Sequence, residues 1–183
     1  MTSSRTYWRI YRKNPVDKIN NISKIGVISD THIPTRAKSL PLTVFSAFKN
    51  TDLIIHCGDY VSPDAITELE TIAPVYGVKG NMDSFDINLP QQRVIVINNK
   101  FKLCISHGSG PPFGIKNRLF KRFKQDKPDM VIYGHSHLPY NSEFKGINFF
   151  NPGSACCGRG ENTVGVLFEN NLNLTGEIIQ VNP

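Results

Sequence analysis

Five short apolar runs in this chain each lead into polar side chains of the kind that bind metal ions. Residues 25–29 (Ile-Gly-Val-Ile-Ser) lead into Asp30-Thr31-His32. Residues 53–57 (Leu-Ile-Ile-His-Cys) lead into Gly58-Asp59. Residues 75–78 are followed by Gly80-Asn81-Met82-Asp83, residues 101–106 by His107-Gly108, and residues 130–133 by Gly134-His135-Ser136-His137. Short runs rich in β-branched and aliphatic residues, bounded by glycine, read as strands. Ligands of α/β sheets gather at the carboxyl ends of the strands. The pattern predicts one pocket, built by five loops at one end of the sheet.

The rest of the chain is consistent with that frame. Residues 93–97 and 101–106 flank Asn98-Asn99-Lys100, a hairpin turn, and Asn170-Asn171 makes another. Residues 147–150, 164–168 and 172–181 read as further strands. Helices are predicted over 41–49, over 64–73 with Ser62 as N-cap, and over 115–124, where Ile115, Leu119, Phe120 and Phe123 share one face. A βαβαβ opening followed by a β-rich half predicts an α/β fold with two sheets packed together and helices outside. With 183 residues and no interdomain linker, one domain is expected. No apolar run approaches the ~18–20 residues of a membrane span.

The net charge of +6 is concentrated at the N-terminus, where residues 1–24 carry six basic side chains and one acid. Residues 1–23 read as a basic, loosely held extension, with residues 24–183 as the domain. The nearly neutral body argues against nucleic acid as the favoured partner. Cys57, Cys104, Cys156 and Cys157 form no CxxC pair, so reduced thiols and a cytoplasmic location are expected.

Asp30, His32, Asp59, Asn81, His107, His135 and His137 are a mixed nitrogen and oxygen set, larger than one ion of the zinc class takes. Seven such groups suit two ions sharing a carboxylate. Gly58, Gly80, Gly108 and Gly134 beside them permit close backbone approach.

Each motif alone is common; all five in this order are not. The ordered set Asp30-x-His32, Gly58-Asp59, Gly80-Asn81, His107 and Gly134-His-x-His137 resembles the calcineurin-like metallophosphoesterases. The Gly80–Asp83 form and Asn151-Pro-Gly-Ser154 resemble the small YfcE-type phosphodiesterase branch. The resemblance implies a four-layer, two-sheet β-sandwich flanked by helices. It implies that Asp30, His32 and His137 hold one divalent metal, that Asn81, His107 and His135 hold the second, and that Asp59 bridges them. Mn²⁺ is the favoured metal, with Ni²⁺, Co²⁺, Fe²⁺ and Zn²⁺ as rivals. The implied reaction is in-line attack by a bridging hydroxide on a small phosphodiester, with Asp59, Asn81 and His107 as its catalytic residues. His56 is expected to support the ligands, and Asp83 to orient the Asn81 loop or a ligand imidazole. Asn151-Pro-Gly-Ser154 reads equally as a turn beside the site or a plain β-turn. Arg159 is a candidate contact to substrate phosphate. Met82 stands where many superfamily members have a proton-donating histidine. The alternatives are a non-catalytic interaction scaffold of the same fold, like the retromer subunit, and a nuclease. The oligomeric state is open, with a homodimer among the options.

Overall fold

The computed structural model describes residues 16–170 and 172–182. Its elements in chain order are β1 (Val16–Ile19), β2 (Lys24–Ile28), α1 (Leu42–Ala47), β3 (Leu53–His56), α2 (Asp64–Glu70), β4 (Val75–Gly77), β5 (Gln92–Ile97) and β6 (Phe101–Ser106). Then come α3 (Ile115–Phe123), a 3-10 turn, β7 (Met130–Tyr133), β8 (Tyr140–Phe144), β9 (Ile147–Asn151), β10 (Thr163–Glu169) and β11 (Leu174–Gln180). They form two mixed sheets, ordered β1-β5-β6-β7-β9-β8 and β11-β10-β2-β3-β4.

Period-two patterning builds the layers. Ile25 and Val27 of β2 and Leu53 and Ile55 of β3 face Ile95, Leu103, Ile105 and Ile132 of the larger sheet, making the central core. The alternate residues Ile28 and Ile54 face outward against Val44 and Phe48 at α1 and Leu69 of α2. Cys104, Val131 and Phe149 on the other sheet's outer face meet Ile115, Leu119 and Phe123 of α3. The result is the expected four-layer helix–sheet–sheet–helix arrangement. Gly26 lets α1 sit close, because a Cβ there would stand 3.0 Å from the Phe48 ring.

Strands β2, β3 and β4 run parallel in one sheet, and β6 and β7 in the other. Their carboxyl ends carry the five predicted motifs. The hairpin at 98–100 is present, with Asn98 and Asn99 both at positive φ.

The structure departs from the sequence reading in three places. Val16–Ile19, inside the stretch read as an extension, pairs in parallel with β5. Arg93 secures it: its Nη1 lies 2.6 Å from Asp17 Oδ2 and its Nε donates to the Gly77 carbonyl. The basic residues up to Lys13 and Asn171 of the second hairpin lie outside the described residues. Strand β8 has no apolar run to mark it in the sequence, being an edge strand with an exposed Asn-Ser-Glu centre. Ser62 stands one residue earlier than a formal N-cap, though its Oγ accepts the Asp64 amide at 3.3 Å.

Candidate metal centre

The seven predicted donors converge, four from the smaller sheet and three from the larger. Asp30 (φ 54°), His32 (49°), Asp59 (59°), His135 (68°) and His137 (57°) all adopt the left-handed conformation. That region disfavours non-glycine residues, and such strain collects at functional sites. Here it turns each strand end back so that its side chain faces the common centre. Gly80 and Gly134 allow the loops to close, since a Cβ on Gly80 would collide with Asp59 and one on Gly134 with Ser29.

Two donor groups share one carboxylate. In the first, Asp30 Oδ1 lies 3.1 Å from His137 Nε2 and 3.8 Å from His32 Nε2, and the two ring nitrogens are 3.4 Å apart. In the second, Asn81 Oδ1 lies 3.1 Å from His107 Nε2 and 3.0 Å from His135 Nδ1. Asp59 Oδ2 faces both, at 3.8 Å from His32 Nε2 and 3.3 Å from His107 Nε2.

Backbone carbonyls set the imidazole tautomers. His107 Nδ1–H donates to the Cys57 carbonyl (2.8 Å), His135 Nε2–H to that of Gly110 (2.7 Å), and His137 Nδ1–H to that of Cys157 (2.9 Å). In the neutral rings, the opposite nitrogens turn lone pairs inward, toward one another and toward the Asn81 oxygen. Asp30 Oδ1 is buried without a hydrogen bond of good geometry. Inward-facing acceptors at 3.0–3.8 Å are what a divalent cation requires, since bonds of about 2.0–2.2 Å place its ligands about 3–3.5 Å apart. The residues fit two such ions.

The electrostatics agree. Burial raises the Asp30 carboxyl, but the His137 hydrogen bond and the His107 and His137 charges outweigh it, and the group falls below its ordinary range. Asp59 is lowered too: the His107 bond and charge overcome its burial. Conversely, the Asp30 bond, aided by the Cys157 sulfur, pushes His137 up to about 10. Without metal, Asp30, Asp59 and His137 favour their charged forms, whereas burial lowers His32 despite the Asp59 and Asp30 charges beside it.

Residues around the donors hold their loops in place. Asp83 accepts amides from Asp59, Tyr60, Val61 and Gly80 at 2.5–3.1 Å, so it ties the Asp59 and Asn81 loops together and touches no imidazole. His56 is fully buried and stacked on Tyr60. Its Nδ1 accepts the Gly58 amide, its Nε2 meets Thr31 Oγ1, and burial lowers it to about 3. Asn151 donates to the Gly134 carbonyl and Ser136 Oγ, and Ser154 to the Asp30 carbonyl. The Asn151–Ser154 segment is therefore a buttress of two ligand loops. Arg159 is exposed, and its amide reaches the His137 carbonyl.

The sequence reading missed Cys157, whose sulfur lies 3.5 Å from His137 Nδ1 and 3.2 Å from Ser154 Oγ. It also missed the carbonyls of Gly110, Cys57 and Cys157. Only proximity to the Asn151–Ser154 string could have pointed to Cys157.

Comparisons with known proteins agree with this geometry. Residues 24–171 match the calcineurin-like phosphoesterase superfamily domain. The chain is 45% identical over 131 residues to a probable metallophosphoesterase of Methanothermobacter thermautotrophicus, covering 71% of this chain and 76% of that one. It is 34% identical to a phosphodiesterase of Methanocaldococcus jannaschii, covering 79% and 92%. The fold matches wild-type Vps29 of Entamoeba histolytica, solved with zinc, at a TM-score of 0.70 and 25% identity, covering 87% and 99%. With its family motifs meeting in a donor set for two divalent ions, this chain belongs to the calcineurin-like phosphoesterase superfamily, and it is a metal-dependent phosphoesterase.

Proposed function

We propose that this protein is a phosphodiesterase of the small YfcE-type branch, acting on small phosphodiesters with two divalent cations, Mn²⁺ foremost. The observation that carries the reading is Asp59, whose one oxygen stands between both donor groups. The similar Methanocaldococcus jannaschii phosphodiesterase supports the choice of diester. Oxygen and imidazole donors suit Mn²⁺. The four free thiols suit a cytoplasmic setting.

The bound ions would supply water activation and charge for the phosphoryl oxygens. The chain's own residues divide the remaining work. Asp30, His32 and His137 hold one position, and Asn81, His107 and His135 the other. Asp59 keeps the two together and balances their repulsion. The three carbonyl acceptors hold the rings in their productive tautomers. Asp83 maintains the distance between Asp59 and Asn81. Met82 carries no proton to donate, so the departing oxygen leaves without help from that position.

Chelator-treated protein should lose activity toward a generic phosphodiester and regain it on Mn²⁺ addition. Full activity in rigorously metal-free protein would overturn the reading.

A further inference from the structure

Arg36 is an exposed cation whose backbone is tied to a metal ligand. It follows His32 by four residues, and its amide donates to the His32 carbonyl at 2.8 Å. Thr35 Oγ1 donates to the same carbonyl at 3.1 Å. Ile33, within that turn, is buried and bridges to Val61. The turn that presents Arg36 is therefore fastened before any substrate arrives. A group ordered beforehand loses less entropy on binding.

The side chain reaches toward the second histidine of the same donor group. Arg36 Nη1 lies 3.9 Å from Cys157 Sγ, and that sulfur lies 3.5 Å from His137 Nδ1. The His137 Nδ1–H donates to the Cys157 carbonyl, while Nε2 turns inward to Asp30. The guanidinium thus stands on the outward side of the His137 ring. It lies next to the donor cluster and outside it.

Among the described residues, Arg36 forms no ion pair with a carboxylate. A guanidinium carries five N–H donors in a planar fork that matches carboxylate and phosphate. One long contact to a thiol leaves most of that fork facing solvent.

We propose that Arg36 is a specificity-determining residue that receives a second anionic group, a carboxylate or a phosphate, on the substrate arm beyond the scissile phosphate. The inference rests on the phosphodiesterase reading and adds the charge of the substrate to it. The scissile phosphate lies at the donor cluster. The arm passes the His137 ring, and its anionic end meets the guanidinium.

Three diesters that share a 4-nitrophenyl leaving group test the inference. Their second arms are propyl, 2-carboxyethyl and 2-phosphonoethyl. With Mn²⁺-loaded protein, an anionic arm should raise kcat/KM over propyl about three- to fivefold, mainly through KM, which is the scale of one exposed ion pair. The better of the two anionic arms identifies the group. Arg36→Ala should abolish the preference, and Arg36→Lys, which keeps the charge without the fork, should retain part of it. Cys157 supplies a readout independent of turnover. Iodoacetate carries a negative charge and iodoacetamide does not, so their relative labelling of this thiol reports an anion-attracting neighbour. Peptide mass spectrometry should show the ratio of acetate to acetamide labelling falling about threefold in Arg36→Ala. Equal kcat/KM for all three diesters in the wild-type protein would overturn the inference, as would an unchanged labelling ratio. Equal loss on all three arms in Arg36→Ala would overturn it too, by assigning Arg36 to the scissile phosphate. Hydrolysis of none of the three would overturn the phosphodiesterase reading itself.

Discussion

At the residue level the proposed function leans hardest on Asp59, whose one oxygen faces both donor groups. Asp59→Asn keeps the shape and removes the negative charge between two cations. Loss of one metal equivalent and a fall in activity of at least ~100-fold are expected, as when a main electrostatic element of a site is lost. Metal analysis beside steady-state kinetics checks it; two retained ions with near-native turnover would refute the shared role. The histidines add a pH signature. In the metal-free protein the Asp30 bond holds His137 up to about 10. For His107, burial disfavours the charged ring, but the hydrogen bond to Asp59 outweighs it and raises the group. A ligating imidazole must be neutral, so metal binding has to expel the His137 proton, and affinity must rise with pH below about 10. Mn²⁺ titrations at pH 7 in two buffers of different ionisation enthalpy should reveal proton release; buffer-independent heats would contradict it. Met82 supplies the third residue-scale expectation. A general acid contributes ~10²–10⁴-fold, and neither Met82 nor the buried, neutral His56 can act as one. The rate should therefore fall steeply as leaving-group pKa rises across a diester series, and a flat dependence would mean another group provides the proton.

Loops at strand ends, rather than the strands themselves, decide whether the donors meet, and Asp83 is the clearest element-level brace. Its carboxylate satisfies four amides from two loops that β3 and β4 deliver separately. Asp83→Ala leaves those amides without their charged acceptor, and a loss of about 2–4 kcal/mol is expected on that ground. Chemical denaturation measures it, and a change below about 0.5 kcal/mol would show that water replaces the carboxylate. The elements themselves were largely legible in the sequence. Strands β2, β3, β5, β6, β7 and β10 are dense apolar runs, and all three helices lie within the expected ranges. What escaped was decided far along the chain. Strand β1 is short and half polar, and it becomes a strand through pairing with β5 and through an Arg93–Asp17 ion pair 76 residues apart. The site shows the same division. The seven side chains announce themselves by type and position, whereas the carbonyls that orient three imidazoles could belong to any residue.

At the scale of the whole molecule, the donor cluster is a polar seam between two sheets otherwise joined by an apolar core. Asp30, His32, Asp59 and Asn81 follow strands of one sheet; His107, His135 and His137 follow strands of the other. Bound cations would cross-link the sheets at that edge and relieve the acceptors now facing one another. Because the seam exists only in the folded chain, each ion stabilises it by RT ln(1 + [L]/Kd), about 2.7 kcal/mol at a hundredfold excess over Kd. For a domain of this size, that corresponds to a rise in melting temperature of about 5–10 °C per site. Melting curves over increasing Mn²⁺ should climb accordingly, and Asp59→Asn should show roughly half the rise, since its second ion is lost. A melting temperature that stays put at concentrations supporting full activity would mean that the cations bind the unfolded chain as tightly as the folded one, against a donor seam that exists only in the fold.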